Sequence, residues 1–490
     1  MPNEIELKLR VDAGDIPRLR RHPAIRRHLQ GKPQTRRLVS TYYDTPDLQL
    51  LQQDVSLRVR RMSGGWFQAV KGSGHSLAGL HQRMEWEDII ARGQPDFTKI
   101  TEPSLARIFA DQALRDALRP IFVTDVKRTE WQLAHADGTA IEVALDLGRL
   151  EVDGKAEPIS EVELELKQGE AWRLFELAAE LQQDIPLSIE NVSKAERGYR
   201  HFRPSALSAS RAQAVKLPSK ATRTEAFQAI GLECLRQLQA NQELVLQSDM
   251  EATHQMHVAI RRLKVAFKLF RFDDPALRGE VAWLNRLLGN ARNWDVLGHE
   301  ILPQLLPRAE ERNAVQALLE KRRHGSYQRL HKAIDSQRYQ TLLLKLGMAL
   351  TKKSGQDKRA AGKLLQRRLR TLDRKLPWEE SRLDTMSQAQ LHHIRIQFKR
   401  LRYMQEFFGL TGFRQLSIKS LVRLQKLMGT LNDLRVARQM LRGITQRLPD
   451  DSGATMSATI SRRSDQLSQI ARRRLQSCWQ QLRQKKSGRK

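Results

Sequence analysis

Glu4, Glu6, Lys8 and Arg10 alternate with Ile5, Leu7, Leu9 and Val11, so a strand would carry every charge of that stretch on one face. The period-two pattern returns at Arg58 and Arg60, at Arg83, Glu85 and Glu87, at Glu142 and Asp146, and at Glu161, Glu163 and Glu165. A fainter copy surrounds Arg128. A half-exposed strand ordinarily shows water a mixture of polar residues. Here acids gather on some strands and bases on others. Carboxylates are hard oxygen donors suited to Mg2+ or Mn2+. Arginine grips phosphate oxygens with a fork and lysine meets them as a point charge. Together they are what a site for divalent metal and a polyanion requires.

Such faces cannot lie in a dry core, where each unpaired ion costs several kcal/mol. They must line water or hold a ligand. A closed antiparallel barrel of about eight strands has an interior just wide enough for side chains or one small ligand. The sequence therefore predicts an eight-stranded antiparallel β tunnel whose apolar outside is covered by helices near 15–30, 103–119 and 170–184. Ser63-Gly64-Gly65, Ala136-Asp137-Gly138 and Val152-Asp153-Gly154 mark its hairpins. Inside it, Glu4, Glu6, Glu85, Glu87, Glu161 and Glu163 are metal-ligand candidates, and Arg58, Arg60, Lys71, Arg83, Arg128 and Lys194 would surround a row of phosphates. One such contact is worth roughly 4 kcal/mol at an effective dielectric near 20, before desolvation. Phosphoryl transfer asks mainly for positioning and charge neutralisation.

The chain has 490 residues, enough for two or three domains with cores of their own. It has no long apolar run and opens on a charged strand without an apolar signal core, so a cytoplasmic protein is expected. Cys234 and Cys478 are its two cysteines, which excludes a disulfide framework and a cysteine metal site. Its net charge of +30 is unevenly placed. Residues 1–203 hold 30 Lys and Arg against 31 Asp and Glu, and residues 204–490 hold the other 55 against 24. A field of that sign attracts polyanions.

Residues 204–220, rich in Ser and Ala, read as a linker between a domain at 1–203 and a helical domain at 221–490. The fold class is multidomain α+β, the second part an all-α bundle. Its last ten or so residues, ending QKKSGRK, are expected to be disordered. It repeats internally: HQMHVAIRRLKVAFKLF at 254–270 aligns with HHIRIQFKRLRYMQEFF at 392–408, and RLLGNARNWDV at 286–296 with KLMGTLNDLRV at 426–436. On a helix His254, His257, Arg261, Lys264 and Lys268 share one face, with Arg262 beside them. The second copy offers His392, Arg395, Lys399, Arg400 and Arg402. The histidines lack acidic or cysteine partners at zinc spacing. Aromatic residues for stacking bases are missing from these faces, apart from Tyr403. A polyanion made only of phosphate fits better than nucleic acid.

The Glu4-x-Glu6-x-Lys8 motif, YYDTPDLQLLQQDVSLRVR at 42–60, EVELE at 161–165 and SKAERGY at 193–199 resemble the CYTH domain, the triphosphate tunnel metalloenzymes. The resemblance spans residues 1–203. It implies hydrolysis of inorganic triphosphate to phosphate and diphosphate with Mg2+ or Mn2+. It also implies Glu4, Glu6, Glu161 and Glu163 as metal ligands, and Arg58, Arg60, Lys71, Arg128 and Lys194 as phosphate binders. Glu85, Glu87, Glu142 and Asp146 are secondary candidates. The attacking water would be activated by a Lys8–Tyr42 pair or by a carboxylate such as Glu85. Tyr42 also reads as a core or turn residue, because Asp44-Thr45-Pro46 follows it. Relatives leave two alternatives: an adenylate cyclase or a thiamine or nucleoside triphosphatase, and a non-catalytic polyphosphate- or RNA-binding protein. The repeated helical segments resemble the CHAD domain, which implies binding of inorganic polyphosphate and a place alongside polyphosphate granules.

Overall fold

The structure, a computed structural model, describes residues 3–62, 64–77, 79–204, 206–352, 357–376, 383–409, 412–413 and 416–487. The alternating stretches form long strands: β1 Asn3–Val11, β2 Leu29–Asp44, β3 Ser56–Met62, β4 Gly65–Leu77, β5 Leu80–Ile90, β6 Arg119–Ala134, β7 Ala140–Val152 and β8 Lys155–Gln168. They pair antiparallel in the order β5-β4-β3-β2-β6-β7-β8-β1. Asn3–Leu7 of β1 pairs again with β5, which closes the eight strands into a ring. A short strand β9, Leu187–Ile189, occupies the rest of that edge opposite Leu9–Val11.

Hairpin chemistry fixes the register. Between β7 and β8, Asp153 and Gly154 sit at φ +46° and +77°, the left-handed pair that a tight turn between twisted strands needs. The alternation then buries both faces of β1. Leu7 and Leu9 are fully buried on one side, and Glu6 and Lys8 are 6% exposed on the other. Helices cover the outside as expected: Ile16–Arg20 and Pro23–Arg26, Pro103–Phe109 and Gln112–Ala117, and Trp172–Leu181. Leu105, Phe109 and Leu114, for instance, pack with Leu57 and Val70 of the sheet.

Helix Lys194–Phe202 starts at Ser193, whose hydroxyl accepts from the Glu196 N–H, and lies against β6 and β7. Its Gly198 is dictated by a close approach, since a Cβ there would come within 2.4 Å of the Phe122 ring.

The chain divides into two compact units, residues 1–207 with 336–352 and residues 208–335 with 353–490. Helix Gln337–Thr351 therefore packs with the tunnel, against Trp172–Leu181 and β9, although the sequence reading ran the helical domain unbroken from 221. Stretch 204–220 carries no helix or strand among its described residues, but part of it is docked: Ser210 exchanges hydrogen bonds with the Asn241 side chain, and the Gln213 N–H donates to Glu233.

The second unit is helical and shows the duplication as two hairpins. Met250–Phe270 packs on Pro275–Asp295, and Gln388–Phe407 packs on Ile418–Thr445. The long helix Asp450–Ser487 contributes Leu475 and Trp479 to the core around Phe398 and Leu424. That helix extends through Ser487, and 488–490 lie outside the described residues. Among the described residues no helix is long and apolar enough to cross a membrane.

Candidate functional site

Ring closure brings the charged faces together. Across strand pairs Lys8 stands opposite Glu163, Arg128 opposite Asp146, Asp146 opposite Glu161, and Lys71 opposite Glu85. Tyr42 faces Arg58 and Ser40 faces Arg60. Except for Glu85 and Glu161, these side chains line a narrow cavity, shared with Glu4, Glu6 and Lys194.

Nearly every charge has a partner inside. Lys8 Nζ lies 2.8 Å from Glu6 and 2.5 Å from Glu163. Lys71 bridges Glu4 at 2.6 Å and Glu85 at 3.0 Å, and Arg58 reaches Glu85 at 2.9 Å. Arg128 forks onto Asp146 at 2.7 and 2.6 Å and also bonds to Glu163. From the start of its helix, Lys194 meets Asp146, Glu161 and Glu163 at 2.9, 2.7 and 2.9 Å. Burial alone would raise the carboxyl pKa values. Lys194, Lys8 and Arg128 override it at Glu163, which stays well below the usual carboxylate range. Likewise Arg128 and Lys194 hold Asp146 at about 2, and Lys71 and Arg58 hold Glu85 at about 2.

Arg60 is the exception. Its Nε donates to Ser40 Oγ at 2.9 Å, and it forms no ion pair among the described residues. Burial and the neighbouring Arg58 and Arg128 push its guanidinium down to about 10. An uncompensated cation aimed into a cavity marks where an anion belongs.

The structure sorts the sequence candidates. Glu87 sits toward solvent, its side chain 41% exposed and 3.6 Å from Arg58. Arg83 pairs through its backbone with Glu4, and its side chain lies outside the described residues. Lys8 and Tyr42 line the same cavity without bonding to each other: Lys8 is held by Glu163 and Glu6, whereas Tyr42 meets Arg58 and stacks on Phe122 at 4.4 Å. Burial would raise the Tyr42 pKa, but Arg58, Arg60 and Lys71 lower it on balance. Asp44 has a structural task. Fully buried, it accepts the N–H groups of Thr45, Leu50 and Leu51. Arg197, not singled out in the sequence, bonds to Glu161. Its signal was the i, i+3 spacing from Lys194 on one helix. Among the described residues no three Asp, Glu, His or Cys side chains converge as a ready metal site. The carboxylates suit a hard divalent cation by type, but in this state they are held by bases.

The helical unit carries a different field. The two repeat helices pack against each other, and their basic residues meet. Arg261, Arg395 and Lys399 form no ion pair among the described residues, and burial with Arg261 and Arg395 pushes the Lys399 ammonium down to about 6. Burial, Arg292 and Arg261 push His254 to about 4; burial, Arg261 and Lys399 press His257 well below its usual value. His392, Arg395 and Arg435 line a small cleft with Asn432 and Arg472. Lys264 and Lys268 are exposed, and Arg400 and Arg402 are half-buried, Arg402 lying 3.3 Å from Glu406. Arg262 does not belong to this face. It is 2% exposed, donates to Gln237 and lies over the Phe407 ring, because one residue along a helix turns the side chain about 100° away. Asp295 stands where the second copy has Arg435; it is buried against Arg323 and the Tyr327 hydroxyl.

A family model described as the CYTH domain matches residues 2–199, and one described as the CHAD domain matches residues 229–442. The chain is 34% identical over 204 residues to an inorganic triphosphatase of Haemophilus influenzae, covering 41% of this chain and 55% of that protein. It thus spans about half the length of the curated relative it matches. Among solved structures it is similar to a CHAD domain from the plant Ricinus communis, at 31% identity and a TM-score of 0.49, covering 53% of this chain and 93% of that one. It is also similar to a putative adenylyl cyclase from Hippeastrum described as having a dominant triphosphatase activity. That match has 16% identity and a TM-score of 0.31, covering 40% of this chain and 96% of the other. Closed charged tunnel and duplicated helical hairpins together agree with the matched models: the chain carries a CYTH domain followed by a CHAD domain.

Proposed function

We propose that the tunnel hydrolyses inorganic triphosphate to phosphate and diphosphate with Mg2+ or Mn2+, and that the basic face of the helical unit binds inorganic polyphosphate. The observation that carries the first reading is Arg60, a desolvated cation that forms no ion pair among the described residues, in a cavity where every neighbouring base has one. A row of phosphates would meet Arg60 first and then compete for Arg58, Lys71, Arg128 and Lys194. As those bases turn to phosphate oxygens, Glu4 and Asp146 lose their partners and become free oxygen donors for the metal, while Glu163 keeps Lys8 and Glu161 keeps Arg197. Triphosphate and metal therefore favour each other's binding. When bound, the metal neutralises developing charge and polarises phosphoryl oxygen or water.

The chain's own groups then divide the work. Burial would lower the Lys8 pKa, but Glu163 and Glu6 outweigh it and keep the ammonium charged, so Lys8 donates to an oxygen rather than removing a proton. Tyr42, its hydroxyl acidified by Arg58 and Arg60 against the effect of burial, would orient the attacking water. Glu85, held near 2 by Lys71 and Arg58 despite burial, gains basicity only once those bases engage substrate. The same-signed cluster around Lys399 supports the polyphosphate reading of the helical unit.

The test is phosphate release from tripolyphosphate, thiamine triphosphate and ATP, each with Mg2+ and with Mn2+. Tripolyphosphate is expected to turn over fastest. Formation of cyclic AMP from ATP with tripolyphosphate left intact would overturn the reading.

A further inference from the structure

The tunnel unit takes one of its helices, Gln337–Thr351, from more than 130 residues beyond its own last strand. That helix is closely fitted. Its Gly347 receives the Phe175 ring so tightly that a Cβ would come within 2.2 Å, and Thr341 donates to Gln182 at 3.1 Å. Gln340 is 5% exposed, and its Oε1 accepts the Ile189 N–H at 3.0 Å. Ile189 ends β9, and from there the chain runs directly to the tunnel. The Glu190 N–H donates to the Lys8 carbonyl at 2.9 Å, and Asn191 Oδ1 accepts the Gly79 N–H at 2.8 Å. Ser193 then caps the helix whose first residue, Lys194, holds Asp146, Glu161 and Glu163.

We infer that Gln340 is a positioning residue for the tunnel: by fixing the end of β9 it sets where Lys194, and the Lys8 backbone beside it, stand among the carboxylates. The residue touches no tunnel side chain itself. A buried N–H that loses its acceptor must move or stay unpaired, and the four residues between Ile189 and Lys194 offer little slack. The consequence for turnover rests on the triphosphatase reading. The consequence for the segment does not.

Both are tested in the full-length protein with Gln340→Met, which keeps the volume and removes the acceptor, and Gln340→Glu, which keeps an oxygen at similar reach. Amide hydrogen exchange over 187–194 is expected to quicken in Gln340→Met and to return toward the wild-type rate in Gln340→Glu. The kcat/KM for tripolyphosphate should follow, about tenfold lower in the first and restored in the second. Unchanged protection in Gln340→Met overturns the inference, as does quickened exchange with unaltered kcat/KM. Equal losses in both variants with a common fall in unfolding temperature reduce Gln340 to a packing residue and overturn it too. If the wild-type protein releases no phosphate from any triphosphate, the hydrolase reading fails and the exchange rates still decide the placement of β9.

Discussion

The tunnel and the basic helical face both gather positive charge, but they balance it in opposite ways. In the tunnel each base that lines the cavity, except Arg60, is matched among the described residues by a carboxylate brought from another strand, so the unit is near neutral. In the helical unit Arg261, Arg395 and Lys399 face one another with Asp433 as the acid among them, and the proton affinities of Arg395 and Lys399 are depressed. Internal pairing creates a site that must exchange partners when ligand enters, which suits chemistry on a small anion. Uncompensated charge creates a surface that is stabilised by whatever polyanion covers it, which suits storage or capture.

The largest effect should come from breaking a tunnel hub. Glu163 serves Lys8, Arg128 and Lys194 at once, and removing its charge leaves three buried bases short of a partner. Glu163→Gln is expected to lower kcat for tripolyphosphate by on the order of 10²–10³. It should also cost about 3–5 kcal/mol of stability, read from urea unfolding. Arg60→Met should separate the two effects. It removes a cation that has no carboxylate, so the free protein should hold or gain stability, while KM for tripolyphosphate rises by about tenfold or more. If Arg60→Met destabilises as much as Arg128→Met, the contrast between paired and unpaired tunnel bases is wrong.

These side chains show what was legible in the sequence. Alternation of charge in IELKLRV or VELELK names a face, because strand geometry fixes it locally. That is why Glu163, Arg58 and Arg128 could be nominated. Which charge meets which was not legible, since Lys8 and Glu163 are 155 positions apart and only ring closure sets their register. The same limit separated Lys8 from Tyr42, which share a cavity but not a bond. In the helical half the duplicated pattern marked two helices that the structure packs together, but adjacency in sequence drew in Arg262, which the helix turns toward Gln237 and Phe407. Helix Gln337–Thr351 gave no local sign of its partner. Its apolar face would suit either unit, and the choice is made by the fit of Gly347 on Phe175.

A smaller effect should distinguish the two fields by salt. Polyphosphate affinity of the helical face should fall roughly tenfold or more between 50 and 200 mM salt, because binding releases counterions. The KM of the tunnel for tripolyphosphate should change less, its charges being buried. Arg261→Gln, Lys264→Gln, Lys399→Gln and Arg402→Gln should each weaken polyphosphate binding and flatten the salt slope, measured by titration calorimetry. Single-stranded RNA competing on equal terms would remove the preference for phosphate alone.

The smallest and most diagnostic difference is in pH. Asp146 and Glu85 are held at about 2, against ordinary values of 3.8 and 4.5. Their stabilisation is therefore complete above about pH 5 and lost as pH falls through 2, which leaves the tunnel indifferent to pH between 6 and 9. Lys399 lies the other way, a base lowered from 10.5 to about 6 by burial, Arg261 and Arg395. Between those values the unfolded chain binds more protons than the folded one, so the free helical unit gains stability as pH rises. His254, lowered to about 4, adds the same slope between pH 4 and 6.5. A bound polyanion reverses the depression at Lys399 and draws a proton in, so polyphosphate affinity should decline from pH 6 to 9. Hydrogen exchange of tunnel and helical peptides across that range would follow both units in one sample. In Lys399→Gln the helical slope should flatten while the tunnel is unaffected, which ties the pH response to that one side chain among its basic neighbours.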